Sequence, residues 1–593
     1  MAIRRNLIWA GVAIGVALAI GAAPTADAQA PAKGQAPAAA KGKGKGKGAP
    51  PYTPAPGARD LRAVLFNWAW HMGMLRSDQE RDLMMTLEYE GKGAMQVDGQ
   101  PCNVTKYRTS ISYRTSGERI QITGTRPNGQ SCSNVEVLSG AYTWNEDIPG
   151  AELIAGKGKA TPMPATVEER MIRLWSGPQG AWKAAMAGIT DPPPMAPRPG
   201  TDVPADVMMA GKTSVAWEGN KPVVTFPIPG VPNATATATL DAKFMAERVV
   251  VRQGSNTTEF TYSDYKDWNN PLHPAEALYA GKMTERKNGA VVRDITTTLT
   301  ETGQMYVVMP VPASVRAAIR PTNQPPNWTL ASNAPAPQAA VAVTPRLANG
   351  KPDMTGTWGN APNPIPTTGG GNRRCGPTQL RCTTAGDNFV VDYAWISPSR
   401  FGPSHPVYKP EFWDKVQYLD QWTNKEDPIM TCQPMGLTRE GTPRRIFQTV
   451  NDITMLYSTS DYGGGNREFR VIPTDDRKHN AAKAIEATYM GYTVGRWEGD
   501  TLVLDNISFV DTTWLGRGGL FHSAEMRIVE KFTRKGDEIL YEATVEDPEV
   551  FVEPWVMPAR TLRLNTNANA GLIAERGYCE VYELENISTQ LRH

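Results

Sequence analysis

Histidine is scarce in this chain, with 6 among 593 residues, and neither sign of charge is in excess. Lys and Arg number 62 against 60 Asp and Glu, a formal net charge of +2. So even a balance gives no reason to expect a nucleic-acid partner, which needs a concentrated basic face. There is no Gly-x-Ser-x-Gly elbow, HExxH helix, CxxCH haem site or CxxC pair. Those absences remove the usual signatures of an α/β hydrolase, a zinc protease, a c-type cytochrome and a zinc ribbon. Gly463-Gly464-Gly465-Asn466 and Gly369-Gly370-Gly371-Asn372 lack the lysine of a phosphate-cradling loop. No cofactor is expected. Long apolar runs are also lacking, apart from Leu7 to about Ala23, which Pro24 breaks too early for a stable membrane span.

That run sits in a telling context. Arg4 and Arg5 precede it, and Ala26-Asp27-Ala28 follows with a small-x-small pattern. The three parts together read as a secretory signal peptide over 1–28, cleaved near Ala28. The expected location is the periplasm, or secretion beyond it. No cysteine follows the cleavage point, which speaks against a lipid anchor. Residues 29–57, rich in Ala, Gly, Pro and Lys, cannot bury enough apolar surface to fold and read as a tether. Its run Lys41-Gly42-Lys43-Gly44-Lys45-Gly46-Lys47 could also touch an anionic membrane surface or cell-wall polymer.

At 593 residues the chain exceeds what one core supports, so two or more domains are expected. Six cysteines in an oxidising compartment suggest disulfides. Cys102 and Cys132 share one β-rich segment, and Cys375 and Cys382 close a short loop. Elimination leaves Cys432 for Cys579, although six cysteines allow fifteen connectivities. A metal site is not expected of them. Asp475, Asp476 and His479, in one polar loop, are the alternative candidates for holding a metal.

Apolar residues at spacings of three and four (Leu61, Val64, Leu65, Trp68, Met72) predict a helix over 58–76, and Met171, Leu174, Trp175 and Trp182 predict another over 167–186. Alternation predicts strands at 109–114, 119–123, 213–217, 223–226, 234–240, 248–252, 258–262, 279–286 and 291–299. Asn288-Gly289 supplies a two-residue hairpin turn. The proline-rich stretch 192–204 reads as a loop. A helix, consecutive short antiparallel strands and one helix inserted midway imply a curved sheet wrapped on helices. That order, with phrases such as Ala238-Thr239-Leu240-Asp241 and Tyr262-Ser263-Asp264-Tyr265-Lys266-Asp267, resembles the periplasmic lipoprotein carriers of the LolA/LolB kind over 58–310. The resemblance implies an apolar cavity for acyl chains, lined by Trp68, Met72, Trp175, Trp182 and Trp217. The competing reading is that these side chains simply fill a core.

Residues 311–345, rich in Pro, Ala and Asn, read as a semi-rigid linker. From 346 to 593 the alternation at 501–505, 526–532 and 538–545, with turns at Gly499-Asp500 and Lys535-Gly536-Asp537, predicts an antiparallel meander, most simply closed into a barrel. The fold class expected overall is mainly β with a few helices. Gly350-Lys351-Pro352-Asp353, Gly356-Thr357-Trp358, Cys432-Gln433-Pro434-Met435-Gly436 and the block from Gly491 to Asp505 resemble a family of exported bacterial proteins of uncharacterised function. Gly356-Thr357-Trp358 also resembles the Gly-x-Trp at the mouth of lipocalin-like barrels. That likeness implies a small apolar ligand near Trp358, Arg496, Trp497 and Trp514. A histidine with carboxylates can act as acid and base when the groups converge, and His522 with Asp505, Asp511 and Glu525 is the best such set. Two functions therefore compete: a periplasmic carrier of an apolar small molecule or lipid, and an exported hydrolase or lyase.

Overall fold

The structure, a computed structural model, describes residues 54–76, 81–82, 86–113, 116–187, 212–267, 278–303, 306–319, 343–359, 406–458, 468–516, 518–557, 559–567 and 573. The signal peptide, nearly all of the tether, the 192–204 loop, Cys375, Cys382 and Cys579 lie outside the described residues.

The first half is dominated by one antiparallel sheet of thirteen strands. The chain enters through helix α1 (Leu61–His71), capped by the Asp60 carboxylate, which accepts from the Ala63 amide at 3.0 Å. Six strands follow as a meander: β1 (Thr86–Val97), β2 (Gln100–Ser112), β3 (Gly117–Thr125), β4 (Asn134–Ser139), β5 (Tyr142–Glu146) and β6 (Ala160–Pro162). Helices α2 (Val167–Ser176) and α3 (Pro178–Ala187) intervene. A second meander then runs through β7 (Ser214–Glu218), β8 (Lys221–Pro227), β9 (Ala234–Leu240), β10 (Ala246–Gln253), β11 (Asn256–Ser263), β12 (Lys282–Lys287) and β13 (Ala290–Gly303). The order across the sheet is β6-β5-β4-β3-β2-β1-β13-β12-β11-β10-β9-β8-β7. The two meanders are thus joined where β13 pairs with β1, and the helices connect the two edge strands. Gly93 makes that seam possible: its φ is 158°, and a Cβ there would stand 2.0 Å from the Asp294 carbonyl oxygen.

The helix expected over 167–186 is two helices, because Pro178 has no amide hydrogen with which to continue the first. Gly180 lets the second fold back closely, since a Cβ there would meet the Leu174 carbonyl oxygen at 2.2 Å. Both helices and α1 bury their apolar faces on the sheet. Val64, Leu65, Trp68, Leu174, Trp175 and Trp182 pack with Val224, Phe226, Val249, Val251 and Phe260. Indole Nε1 of Trp182 donates to Leu65 O at 2.9 Å, and the Tyr262 hydroxyl donates to Ser176 O at 2.8 Å. A smaller cluster of Met95, Val97, Val104, Tyr107, Ile120, Ile122 and Ile295 surrounds the Cys102–Cys132 disulfide. Cys432 is disulfide-bonded as well.

The stretch expected to begin the linker is built into the fold instead. Ala313–Ala318 is a short helix, α4, and Val315 and Ile319 are buried with Val137, Trp144 and Ala151. Its apolar residues outweigh the prolines that suggested a linker.

The second half holds two antiparallel sheets. One contains β14 (Gly356–Thr357), β15 (Arg445–Gln448), β16 (Asp452–Leu456) and β17 (Phe469–Pro473). The other runs β18 (Tyr492–Glu498), β19 (Thr501–Ile507), β20 (Arg527–Lys535), β21 (Glu538–Glu546) and β22 (Trp555–Val556), with β23 (Arg560–Arg563) also on β21. The predicted meander strands are present, and no closed ring is formed among the described residues. Between the sheets lies a buried polar knot. Arg470 donates at 2.7 Å to both Glu530 Oε2 and Asn506 Oδ1, and it also donates to the Tyr457 hydroxyl. The halves meet through helix α5 (Trp413–Gln421). Arg108 pairs with Asp414 at 2.7 Å, and the Arg119 guanidinium lies 4.5 Å over the Trp413 ring.

Candidate functional site

A cavity lies between the α2–α3 hairpin and the seam of the large sheet. Strands β1, β2, β3, β11, β12 and β13 form its floor and the helix hairpin its roof. Leu87, Ile111, Leu174, Ala280 and Met283 make an apolar side, while Tyr89, Glu118, Arg173, Gln179, Arg293 and Thr300 make a polar one. Its volume is about 40 Å³, room for roughly three waters at the smallest space one water needs. That space is too small for an acyl chain.

The charges on the polar side are tightly paired. Arg173 Nε sits 2.7 Å from Glu118 Oε2 and its Nη1 sits 2.8 Å from Glu136 Oε2. Arg293 pairs with Glu285 at 3.0 Å and donates to the Tyr107 hydroxyl at 2.6 Å. Burial opposes the charge on Arg173, but Glu118 and Glu136 overcome it and hold the guanidinium protonated. Burial likewise pushes the Glu136 carboxyl up, and Arg173 and Arg170 more than reverse that, leaving it below its ordinary value. Burial raises the Tyr262 hydroxyl far above its usual range, so it stays neutral. The Thr300 hydroxyl on the wall, 2% exposed, has no partner for Oγ1.

The tryptophans expected to line an apolar cavity are placed differently. Trp68, Met72, Trp175 and Trp182 are each fully buried in the packed core, and none lines the cavity. Trp68 Nε1 turns inward to Met72 Sδ at 3.1 Å. Trp217 is half-buried at an edge strand, donating to Arg59 O at 2.9 Å beneath the Arg59 guanidinium. The sequence pattern pointed at the helix faces, whereas the cavity is framed by tyrosines and ionised groups contributed by strands far apart in sequence.

In the second half the His522 set does not assemble. His522 is buried, with Nδ1 at 2.8 Å from Ser523 O and Nε2 at 2.7 Å from Thr513 Oγ1. The first contact makes Nδ1 the protonated nitrogen and Nε2 an acceptor from the threonine hydroxyl. Burial holds the imidazole below its ordinary pKa and therefore neutral. Neither ring nitrogen meets Asp505, Asp511 or Glu525. Asp505 is gripped by Arg527 at 2.8 and 2.9 Å, with His479 Nε2 3.8 Å away, and Asp511 and Glu525 point to solvent. Two carboxylates act on His522 through space, Asp511 and Asp547, and Asp547 accepts from the Ser523 amide and hydroxyl at 2.7 and 2.8 Å. It lies 25 positions along the chain from His522, on a different strand connection, and no local pattern pointed to it.

The remaining expected ligand residues are dispersed. Trp358 is fully buried, donates to Met354 O at 3.0 Å and has the Arg534 guanidinium 5.1 Å from its ring. Arg496 is exposed and paired with Glu498 at 2.7 Å. Trp497 is partly buried against the core, and Trp514 is 4% exposed. Asp475 is held by Arg477, whose guanidinium lowers its carboxyl to about 2. Among the described residues no cluster of three His, Cys, Asp or Glu side chains could hold a metal ion.

No family model matches the chain, and no curated protein matches it. Among solved structures, it is similar to a LolA-superfamily protein from Nitrosomonas europaea. The identity is 11%, over 42% of this chain and 96% of that one, with a TM-score of 0.21.

Proposed function

We propose that this chain is an exported binding protein that carries an apolar, lipid-like ligand in its large-sheet half. The cavity under α2 and α3 carries the reading. There an apolar wall and convergent polar groups meet inside the fold, the composition of a small-molecule site. Its small volume implies that the helix hairpin lifts from the sheet when the ligand enters. The break at Gly177-Pro178 and the close approach at Gly180 give that hairpin a discrete joint. Export is supported by the leader-like layout of residues 1–28 and by the Cys102–Cys132 disulfide, a bond that persists in oxidising compartments.

The test is native mass spectrometry of protein exported to a bacterial periplasm, followed by organic extraction. The proposal expects a stoichiometric lipid-sized adduct that solvent removes. A bare polypeptide mass, together with no uptake of an environment-sensitive apolar dye, would sink it.

A further inference from the structure

We infer that the polar end of the cavity selects an uncharged head group, a hydroxyl or ester such as an acylglycerol presents, over an anionic one. This rests on the reading of the cavity as a ligand site and deepens it. The guanidiniums on the wall already have their anions. Arg173 is held between Glu118 and Glu136, and Arg293 is held by Glu285 and the Tyr107 hydroxyl. Arg170, which donates at 2.7 and 2.8 Å to the Val137 and Trp144 carbonyls, lies within electrostatic reach of Glu136. The three arginines Arg170, Arg173 and Arg293 thus face the three carboxylates Glu118, Glu136 and Glu285. Lys183 does not line the cavity, and its ammonium rests 5.0 Å from the Tyr113 ring.

A carboxylate or phosphate entering here would have to displace a buried partner or sit beside one in a medium of low dielectric. Either costs more than it returns, because a buried charge is tolerated only when paired. A hydroxyl or ester carries no such penalty. It also satisfies a wall group that lacks a partner, the Thr300 hydroxyl, which is 2% exposed. An unsatisfied buried hydroxyl costs stability until something bonds to it. That cost makes Thr300 a positioning contact for a neutral head group.

The experiment compares 1-oleoylglycerol with oleate at pH 8, which share one tail, as competitors for a fluorescent fatty probe on the full chain. Thr300→Val is run beside the native protein. Valine keeps the shape and removes the hydroxyl, so the variant should fold with an unchanged or higher melting midpoint. The inference expects 1-oleoylglycerol to bind at least tenfold more tightly than oleate. In Thr300→Val its affinity should fall about threefold to tenfold, the worth of one hydrogen bond, with oleate unaffected. Equal or tighter binding of oleate, or 1-oleoylglycerol affinity unchanged in Thr300→Val, would overturn the head-group inference and leave the carrier reading standing. If neither lipid displaces or replaces the probe, the carrier reading falls and the inference with it.

Discussion

Arg173→Met is the perturbation that best isolates the ion-pair network of the cavity. The native side chain is 8% exposed and holds two carboxylates, Glu118 at 2.7 Å (2% exposed) and Glu136 at 2.8 Å (17% exposed). Methionine fills much of the same volume, so the loss is electrostatic rather than one of packing. Removing one partner of a buried pair leaves an uncompensated charge and costs about 3–5 kcal/mol. At pH 7 the urea midpoint of the transition that unfolds the large sheet should fall accordingly, read through its m-value.

The pH dependence has a definite sign. In the native protein the Glu136 carboxyl lies below its unfolded value, so its contribution is present above about pH 4.3 and fades as pH falls towards the folded value. In Arg173→Met the upward push of burial is less opposed, so Glu136 protonates more readily. Acid then relieves the variant while it weakens the native protein, and the gap between them should narrow at pH 4. Adding Glu118→Gln and Glu136→Gln to Arg173→Met should recover at least half of the loss at pH 7. A loss under about 1 kcal/mol at pH 7, or a gap that widens at pH 4, would refute the reasoning.

Other predictions follow the same physics. Replacing both Cys102 and Cys132 by Ala opens a loop with a sequence separation of 30 and should cost roughly 3–4 kcal/mol on the chain-entropy model, measured by denaturant midpoints under non-reducing conditions. His522 is held neutral by burial, so its contribution is complete above about pH 6.5 and is lost as pH falls below that. His522→Gln should therefore flatten the fall in melting midpoint between pH 7.5 and 5, and an unchanged slope would contradict the assignment. Gly180→Ala drives a methyl group towards the Leu174 carbonyl and should destabilise by about 1–3 kcal/mol, visible as a lower thermal midpoint.

The strand pattern was open to a reader of the sequence because alternation reports burial of one face directly. Ala234–Leu240 is a strand over those same residues, and Asn288-Gly289 turns between β12 and β13 with φ of 48° and 86°. Pro178 carried the information that the second helix is broken, but the apolar spacing of Met171, Leu174, Trp175 and Trp182 ran through it. The seam between β1 and β13 joins residues about two hundred positions apart, and nothing local marks it. The candidate site suffered from the same difficulty. Glu118, Arg173 and Arg293 come from three separate elements, and each alone reads as a solvated charge. Tryptophans at helical spacing drew attention because they are large, yet size is what fits them to the core. His522 was visible as a rare residue, but its partners Thr513 and Ser523 O depend on a loop conformation that spacing does not encode.

The central claim is that a lipid-like ligand enters beneath the α2–α3 hairpin. Photo-crosslinking tests it most directly, with an acylglycerol bearing a diazirine on its chain and peptide mapping of the adducts. The account predicts adducts on the cavity wall, at Leu87, Ile111, Leu174 or Met283, that excess 1-oleoylglycerol abolishes. Adducts confined to the outer surface or to the second half, or indifferent to competitor, would contradict it.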